Sequence, residues 1–260
     1  MNSTRTTGLR EDQAIFHGAT QNARVMTEEW AGRSLYCPNC SVDSLKRFRS
    51  NRPVADLYCD QCGEEFELKS QRTKFGRRVV DGAYATMCQR LEEPNSPSLF
   101  LLHYHRDSAS VRNVMLIPKF HFSEKAIEKR KPLGPNARRA GWVGCNIMLD
   151  RIADSGKIPI LIDGLFENQE RVRQLWKQTQ FLQSTGAAAR GWLIETILCA
   201  EQTSGDEFSL EDIYAHESRL SSIFPGNNHI RPKLRQQLQV MRDHGLIDFL
   251  GGGRYRKRLV

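Results

Sequence analysis

The pattern of hydrophobic positions differs between the N-terminal two thirds of the chain and the C-terminal third. In its N-terminal two thirds the apolar positions form short runs rich in β-branched and aromatic residues, a pattern typical of buried strands. These runs predict strands at residues 53–59, 64–70, 98–105, 113–120 and 157–164. Helices are predicted at residues 22–33 and 82–93, with Asp81 as the N-cap of the second. Two basic stretches, residues 70–80 and 128–146, are predicted loops, the second because prolines and glycines interrupt it.

The C-terminal part of the chain has helical periodicity instead. Residues 183–191, with their Gly and Ala, predict a linker between two domains, residues 1–186 and 187–260. Helices are predicted at residues 192–202, 210–224 and 231–244. Ser209 and Asp212 form a predicted capping box at the start of the second of these helices. A strand–turn–strand stretch follows the third helix, so the pattern predicts a winged helix-turn-helix domain.

Composition and charge narrow the class of partner. Hydrophobic residues make up 39% of the 260 residues and charged residues 26%, which is ordinary for a globular protein. No run of 18 apolar residues and no apolar leader is present, so we expect a cytoplasmic protein without a membrane span. The net charge of +8 and the isoelectric point of about 9.2 favour a polyanionic partner such as nucleic acid.

Four of the seven cysteines form two pairs, each with two intervening residues. The pairs are Cys37 with Cys40 and Cys59 with Cys62, and eighteen residues separate them. This spacing is typical of a structural zinc site, because both sulfurs of a pair can turn toward one metal. A closed four-cysteine site leaves no position for water, so we expect the zinc to be structural rather than catalytic.

The strand that follows the second cysteine pair carries the candidate chemistry. If the chain turns back near residues 61 and 62, Asp56 and Glu67 lie opposite each other on neighbouring strands. Glu67 and Lys69 then share one face of their strand. Two carboxylates and an ammonium group at one place suit Mg²⁺-assisted phosphodiester hydrolysis. An acid followed by Glu-x-Lys on a strand is also the signature of PD-(D/E)xK nucleases.

The signature alone does not decide the function. Glu-x-Lys triplets occur by chance in most proteins, and a solvated strand face is the alternative interpretation. Val54, Phe66 and Leu68 favour a half-buried strand, and the predicted zinc would hold the hairpin in place. On these residues alone both interpretations stay open.

Longer stretches of the sequence resemble the DpnI-like methyl-directed restriction endonucleases. The resemblance runs from about residue 20 to the C-terminus. It rests on the stretches CPNC, NRPVADLYCDQC, EEFELKS, DGAYATM, RKPLGPNARRAGWVGCN, NNHI, RQQLQ and GGGRYRK. It implies an α/β PD-(D/E)xK nuclease core with an embedded zinc site, followed by a winged helix-turn-helix domain. The implied substrate is double-stranded DNA methylated at N6 of adenine in G-A-T-C.

The resemblance also implies residue roles. Asp56, Glu67 and Lys69 would be catalytic, and Leu68 would offer a backbone carbonyl to Mg²⁺. Both domains would read the methylated sequence, and we expect the chain to act as a monomer. The sequence departs from the family signature at Pro53, which lies three residues before Asp56 instead of adjacent to it. We expect the departure to be tolerated because the carboxylate, not the proline, supplies the chemistry.

The candidate DNA-binding residues fall in two places. Charge is distributed unevenly along the C-terminal domain. Residues 187–217 hold one Arg and seven acids, whereas residues 218–260 hold nine Lys or Arg and two acids. Near the third helix the candidates are Asn227, Asn228, His229, Arg231, Lys233, Arg235, Gln236 and Gln237. Amide side chains suit adenine, and cations suit phosphates or guanine. In the first domain the candidates are Arg138, Arg139 and Trp142. The tryptophan is either a contact for the methyl group or a core residue.

Two other classes of protein remain as alternatives. A zinc-containing winged-helix regulator would bind DNA without cutting it, and it would have no need for Asp56 beside Glu67 and Lys69. A zinc protein that binds RNA would need aromatic stacking platforms. Aromatic residues make up only 8% of this chain and are scattered, which disfavours that class.

Overall fold

The computed structural model describes residues 5–9, 18–40, 42–48, 55–93 and 96–258. Residues 1–20 lack clear hydrophobic periodicity and are expected from this to be partly loose; they fall mostly outside these ranges, and Pro53 lies outside them. Within the described N-terminal segment, Gly8 forms an isolated antiparallel bridge with Ser110. No helix in these ranges is long and apolar enough to cross a lipid bilayer.

The strands and helices alternate along the first part of the chain and become mainly helical in the last part. The strands are β1 (Lys46–Arg47), β2 (Leu57–Tyr58), β3 (Glu65–Gln71), β4 (Arg78–Ala83), β5 (Ser98–His105), β6 (Ser110–Ile117), β7 (Ile127–Lys129), β8 (Gly144–Met148), β9 (Ile158–Ile162), β10 (Leu165–Phe166), β11 (Glu207–Ser209), β12 (Ile247–Gly251) and β13 (Arg254–Lys257). The helices are α1 (Ala19–Ser34), α2 (Tyr84–Glu92), α3 (Gln169–Thr179), α4 (Ala187–Gln202), α5 (Leu210–Tyr214), α6 (Glu217–Ile223) and α7 (Ile230–Asp243).

A seven-stranded sheet in the order β1-β2-β3-β5-β6-β9-β10 forms the centre of the molecule. Its strands pair antiparallel except for β3 with β5, which are parallel. A parallel pair requires a crossover, and β4 with α2 supply it. The alternation of side chains along β3 and β5 places Phe66, Phe100 and Leu102 in one core cluster together with Trp30 of α1 and Trp176 of α3.

The opposite face of the large sheet is covered by a second, three-stranded sheet in the order β4-β8-β7. Leu99 and Leu101 of β5 pack there in a separate core cluster with Val79 of β4 and Ile147 of β8. Both faces of β5 are therefore buried. This burial explains why residues 98–105 read as one continuous apolar run.

The structure corrects the prediction of a loop at residues 70–80 and of a helix cap at Asp81. Strand β3 extends to Gln71, and β4 begins at Arg78 and pairs with β8. Asp81 lies on β4, and α2 begins only after Ala83, which makes no side-chain capping hydrogen bond. The hydrogen bonds between β4 and β8 and the burial of Val79 outweigh the local preference of an aspartate for a helix N-terminus.

The last seventy residues confirm the predicted winged helix-turn-helix pattern. Helix α7 lies within one residue of its predicted bounds, and β12 and β13 form the hairpin that follows it. Ser209 and Asp212 form the expected capping box, but the predicted helix over residues 210–224 is split into α5 and α6. Strand β11 adds a third strand to the wing.

The predicted linker at residues 183–191 is wrong in its second half, because α4 begins at Ala187. Three consecutive alanines have the highest helix propensity, which outweighs the flanking glycines. Helix α4 also contacts the first part of the chain, since the Glu201 carboxylate accepts hydrogen bonds from the backbone N–H groups of Asp154 and Ser155 at 2.7 and 3.0 Å. The division of the chain at residue 186 stays a prediction.

Candidate active site and DNA-binding surface

The β2–β3 hairpin has the register that the sequence predicts. Leu57 pairs with Phe66 and Tyr58 with Glu65, so the next position places Asp56 opposite Glu67. The backbone N–H of Asp56 donates a hydrogen bond to the carbonyl of Phe66 at 3.0 Å. The turn closes at Gly63, whose φ of +74° favours glycine.

The four paired cysteines converge at the closed end of this hairpin. Their sulfur atoms all lie within 4.8 Å of one another. Cys37 Sγ lies 3.5 Å from Cys62 Sγ, and Cys40 Sγ lies 3.3 Å from Cys59 Sγ. Four sulfurs around one zinc at about 2.3 Å would lie roughly 3.8 Å apart, so the arrangement has nearly the size of a zinc site.

The electrostatics of the cluster also fit a soft cation. Burial raises the pKa values of the Cys37 and Cys62 thiols, that of Cys62 to about 11. Four thiolates at this separation repel one another, and a bound Zn²⁺ would neutralise them. The cluster therefore has the ligand type, number and spacing of a structural zinc site.

The candidate catalytic residues lie at the open end of the same hairpin. The backbone N–H of Leu68 donates a hydrogen bond to Asp56 Oδ2 at 2.8 Å. Arg24 of α1 forms an ion pair with Asp56 Oδ1 at 3.2 Å. Lys69 Nζ lies 2.6 Å from Glu67 Oε1. The hairpin thus has the cysteine cluster at its closed end, where Cys59 and Cys62 meet Cys37 and Cys40, and the two acids and the lysine at its open end.

Sequence reasoning missed a third carboxylate at this place. Asp81 Oδ1 accepts a hydrogen bond from Lys69 Nζ at 2.6 Å, and it also accepts one from the backbone N–H of Gly82 at 2.6 Å. The side chain of Asp81 is only 5% exposed. It reaches Lys69 because β4 pairs with β8 against the large sheet. Such a long-range pairing has no signature in the local sequence.

Burial and charge shift the acid–base properties of this cluster. Burial raises the pKa of Glu67 to about 7, assisted by the nearby carboxylates of Asp81 and Asp56, while the Lys69 ammonium opposes the shift. Burial lowers the pKa of Lys69, but Glu67 and Asp81 outweigh that effect and raise it above its ordinary value. The three carboxylates carry more negative charge than the Lys69 ammonium and the Arg24 guanidinium together balance, which is the condition under which a divalent cation binds.

The basic loop between β7 and β8 holds the candidates from the first domain. Arg138 and Arg139 are exposed, and Trp142 is half-buried rather than part of the core. The Arg139 guanidinium lies over the Trp142 ring, 4.8 Å from its centroid. A Cβ atom at Gly144 would lie 2.8 Å from the Trp142 ring, so only glycine lets the ring pack this closely on the backbone.

The residues proposed for base and phosphate contacts around α7 are mostly exposed. Asn228, His229, Arg231, Arg235 and Gln236 are exposed, whereas Asn227 and Lys233 are half-buried. Gln237 is only 4% exposed and faces the core of the domain, so the structure contradicts its prediction as a base-contacting residue. The helical period places it with the buried Leu234, Leu238 and Met241.

Several arginines of the C-terminal domain form ion pairs with acidic side chains at the surface. Arg231 Nε contacts Glu217 Oε2 at 2.8 Å, and its guanidinium lies over the Tyr214 ring. In the wing, Arg254 and Arg256 share Glu207 at 2.7 and 2.8 Å. These ion pairs lie at the surface, where each stabilises the fold little. The arginines can therefore exchange their partners for phosphate groups.

Comparison with known protein families agrees with the architecture and the site. A family model named for DpnI and described as the Dam-replacing family matches residues 10–185. A second model, the Dam-replacing HTH domain, matches residues 188–257. Together the two matches span nearly the whole chain, and they confirm the resemblance inferred from the sequence. The chain therefore belongs to the Dam-replacing family of methyl-dependent restriction endonucleases with a DNA-binding helix-turn-helix domain.

Proposed function

We propose that the protein is a metal-dependent endonuclease that hydrolyses phosphodiester bonds in double-stranded DNA at G-A-T-C sites carrying N6-methyladenine. Residues 1–186 would cut the DNA as a PD-(D/E)xK nuclease, and both they and residues 187–260 would read the methylated site. The observation that carries the proposal is the convergence of Asp56, Glu67 and Lys69 at the open end of one hairpin. A solvated strand face would not hold an acid and a lysine in contact with a further, buried carboxylate, that of Asp81.

The donor set at this place suits a hard cation. The carboxylates of Asp56 and Glu67 and the backbone carbonyl of Leu68 would hold Mg²⁺, which prefers oxygen ligands. When bound, Mg²⁺ supplies Lewis acidity and an activated water. Lys69 would hold a phosphate oxygen or orient the attacking water. Arg24, which forms an ion pair with Asp56 Oδ1, would keep that carboxylate in place.

The zinc would have a structural role. Cys37, Cys40, Cys59 and Cys62 would bind one Zn²⁺ with all four positions taken by sulfur. Such a site closes the turn of the hairpin. It thereby fixes the register that places Asp56 opposite Glu67.

Methyl recognition would come from apolar contacts in the major groove. N6-methylation leaves one hydrogen on the amino group, so base pairing survives and the methyl group lies in the groove. Trp142, supported by Arg138 and Arg139, is the proposed methyl contact of the first domain. Exposed amides and cations of α7 would contact bases and phosphates in the second.

Purified protein incubated with methylated and unmethylated G-A-T-C duplexes, with and without Mg²⁺, tests the proposal. We expect cleavage only of the methylated duplex and only with Mg²⁺. The family match already favours a nuclease over a regulator that binds without cutting. Specific binding of methylated DNA without cleavage under any divalent cation would support the regulator and contradict the proposal.

A further inference from the structure

Asp81 stands out among the buried acids because it contacts the proposed catalytic lysine without belonging to the Asp–Glu-x-Lys signature. Its Oδ1 atom lies 2.6 Å from Lys69 Nζ. Its side chain is more deeply buried than that of Glu67, with 5% against 13% exposure. Lys69 is therefore held between two carboxylates, one on its own strand and one on β4.

The backbone holds the Asp81 carboxylate in a fixed place. The N–H of Gly82 donates a second hydrogen bond to the same Oδ1 atom at 2.6 Å. Asp81 pairs with Cys145 in the β4–β8 ladder, and the register shifts just after it, between Asp81 and Ala83. Such bulges re-aim side chains, and they are common beside active sites.

The other oxygen of Asp81 gives an independent reason to assign it a function. Oδ2 is buried and has no hydrogen-bond partner in the part of the chain that the structure describes. A buried carboxylate oxygen without a donor destabilises the folded state. Folding stability alone therefore does not account for an aspartate here.

We propose that Asp81 is a positioning residue for the cleavage reaction, which holds the Lys69 ammonium in place while Glu67 binds the catalytic cation. This inference rests on the nuclease function proposed above. Glu67 cannot give its full charge to a cation and to Lys69 at once. An acid that does not bind the cation keeps the lysine aimed at the scissile phosphate throughout the reaction.

The experiment measures single-turnover cleavage of a methylated duplex by the full-length Asp81→Asn variant. We expect the rate at saturating DNA to fall about 10- to 100-fold, the range found when a partner that orients a metal-site residue is lost. The DNA concentration for half-maximal rate and the Mg²⁺ concentration for half-maximal rate should stay unchanged. Asp81→Glu, which retains the negative charge, should recover much of the loss.

A matched control is Asp150→Asn. Asp150 forms an ion pair with Arg77 at the other end of the β4–β8 ladder, away from Lys69. We expect the control to cleave at the wild-type rate, and all variants to bind methylated DNA as the wild type does.

Each other outcome is decisive. An unchanged rate for Asp81→Asn, or an equal fall for Asp150→Asn, would overturn the positioning role while leaving the nuclease proposal intact. A raised Mg²⁺ requirement for Asp81→Asn would also overturn it, by making Asp81 a metal ligand. A wild-type protein that cuts no methylated DNA would overturn the proposed function and this inference with it.

Discussion

The residues proposed to cut DNA and those proposed to read it are held in opposite ways. Asp56, Glu67 and Lys69 are half-buried and held by close contacts: Asp56 by Arg24 and the backbone of Leu68, and Glu67 by Lys69. The reading residues at and just before α7 are mostly exposed, and the ion pair that Arg231 forms with Glu217 lies at the surface. Catalysis depends on groups placed before the substrate arrives. Binding of a charged polymer depends on cations that are free to reach it.

The comparison predicts different responses to mutation. Changes at Asp56, Glu67 or Lys69 should remove nearly all activity, because each of these groups has its own proposed part in the chemistry. Changes on α7 should weaken binding by increments, because each contact is separate.

The largest effect is expected for Cys59→Ser. The binding energy of a structural zinc in small zinc domains amounts to about 10 kcal/mol or more, and it is folding energy. We expect loss of the zinc and of all cleavage, together with a lower temperature of unfolding. Metal analysis and thermal unfolding would test this. Cys88→Ser is the control, since Cys88 lies outside the cluster. A variant that retains full activity without zinc would contradict the structural role.

The next effect is expected for the triple variant Arg231→Ala, Lys233→Ala and Arg235→Ala. Each phosphate contact contributes a slope of about −0.9 to the logarithm of affinity against the logarithm of salt concentration. Removing three contacts should flatten the slope by roughly 2.7 and weaken binding most strongly at low salt. Titrations of full-length protein at several salt concentrations would measure it. Arg242→Ala, at the other end of α7, is the control. An unchanged slope would mean that α7 does not face the DNA backbone.

A smaller effect is expected for Trp142→Ala. One methyl group buries apolar area worth about 1 kcal/mol, so its contact should contribute roughly five- to tenfold preference. The ratio of affinities for methylated and unmethylated duplexes should fall by that factor while the affinity for unmethylated DNA stays the same. Leu133→Ala, an exposed residue of the same loop, is the control. Equal losses for both duplexes would assign Trp142 a general DNA contact instead.

The smallest effect on DNA affinity is expected for two neighbouring glutamines, which should respond differently to substitution. Gln236 is exposed and Gln237 is buried, so only the first can reach a base. Gln236→Ala should weaken binding of the methylated site by about 0.5 to 1 kcal/mol, the net contribution of a single hydrogen bond. Gln237→Ala should leave affinity unchanged and lower the unfolding temperature. The reverse pattern would mean that the helix binds DNA through another face.

The parts of the fold that local pattern determines were predictable. Strand β5 has the predicted bounds because its residues are buried on both faces and form one unbroken apolar run. The hairpin register followed from the spacing of the cysteines and the two acids. Helix α7 and its wing followed from periodicity and from the glycine-rich turn.

The parts of the fold that depend on long-range strand pairing could not be predicted from the sequence. The sequence predicts a basic loop where β4 lies, because Val79 is the one buried residue of that strand. Without a predicted strand at this place, Asp81 was predicted to be a helix cap. Helix α3 was not predicted at all. The burial of Gln237 was missed because a list of polar residues near a helix start ignores the helical period. The sequence left open whether Trp142 is a core residue, and the structure places it half-buried with its ring against Gly144, two residues further along the chain.

Cleavage and binding measured on the same preparation of Asp56→Ala test most directly whether the hairpin carries the chemistry and other surfaces carry the recognition. If they do, cleavage of methylated G-A-T-C should fall by about 10³-fold or more. Binding of the same duplex, followed by gel shift with Ca²⁺ in place of Mg²⁺, should stay within about threefold of wild type, since a loss of 1 kcal/mol would change it about fivefold. Cleavage at the wild-type rate would contradict the assignment of Asp56, and a parallel loss of binding and cleavage would contradict the separation of the two functions.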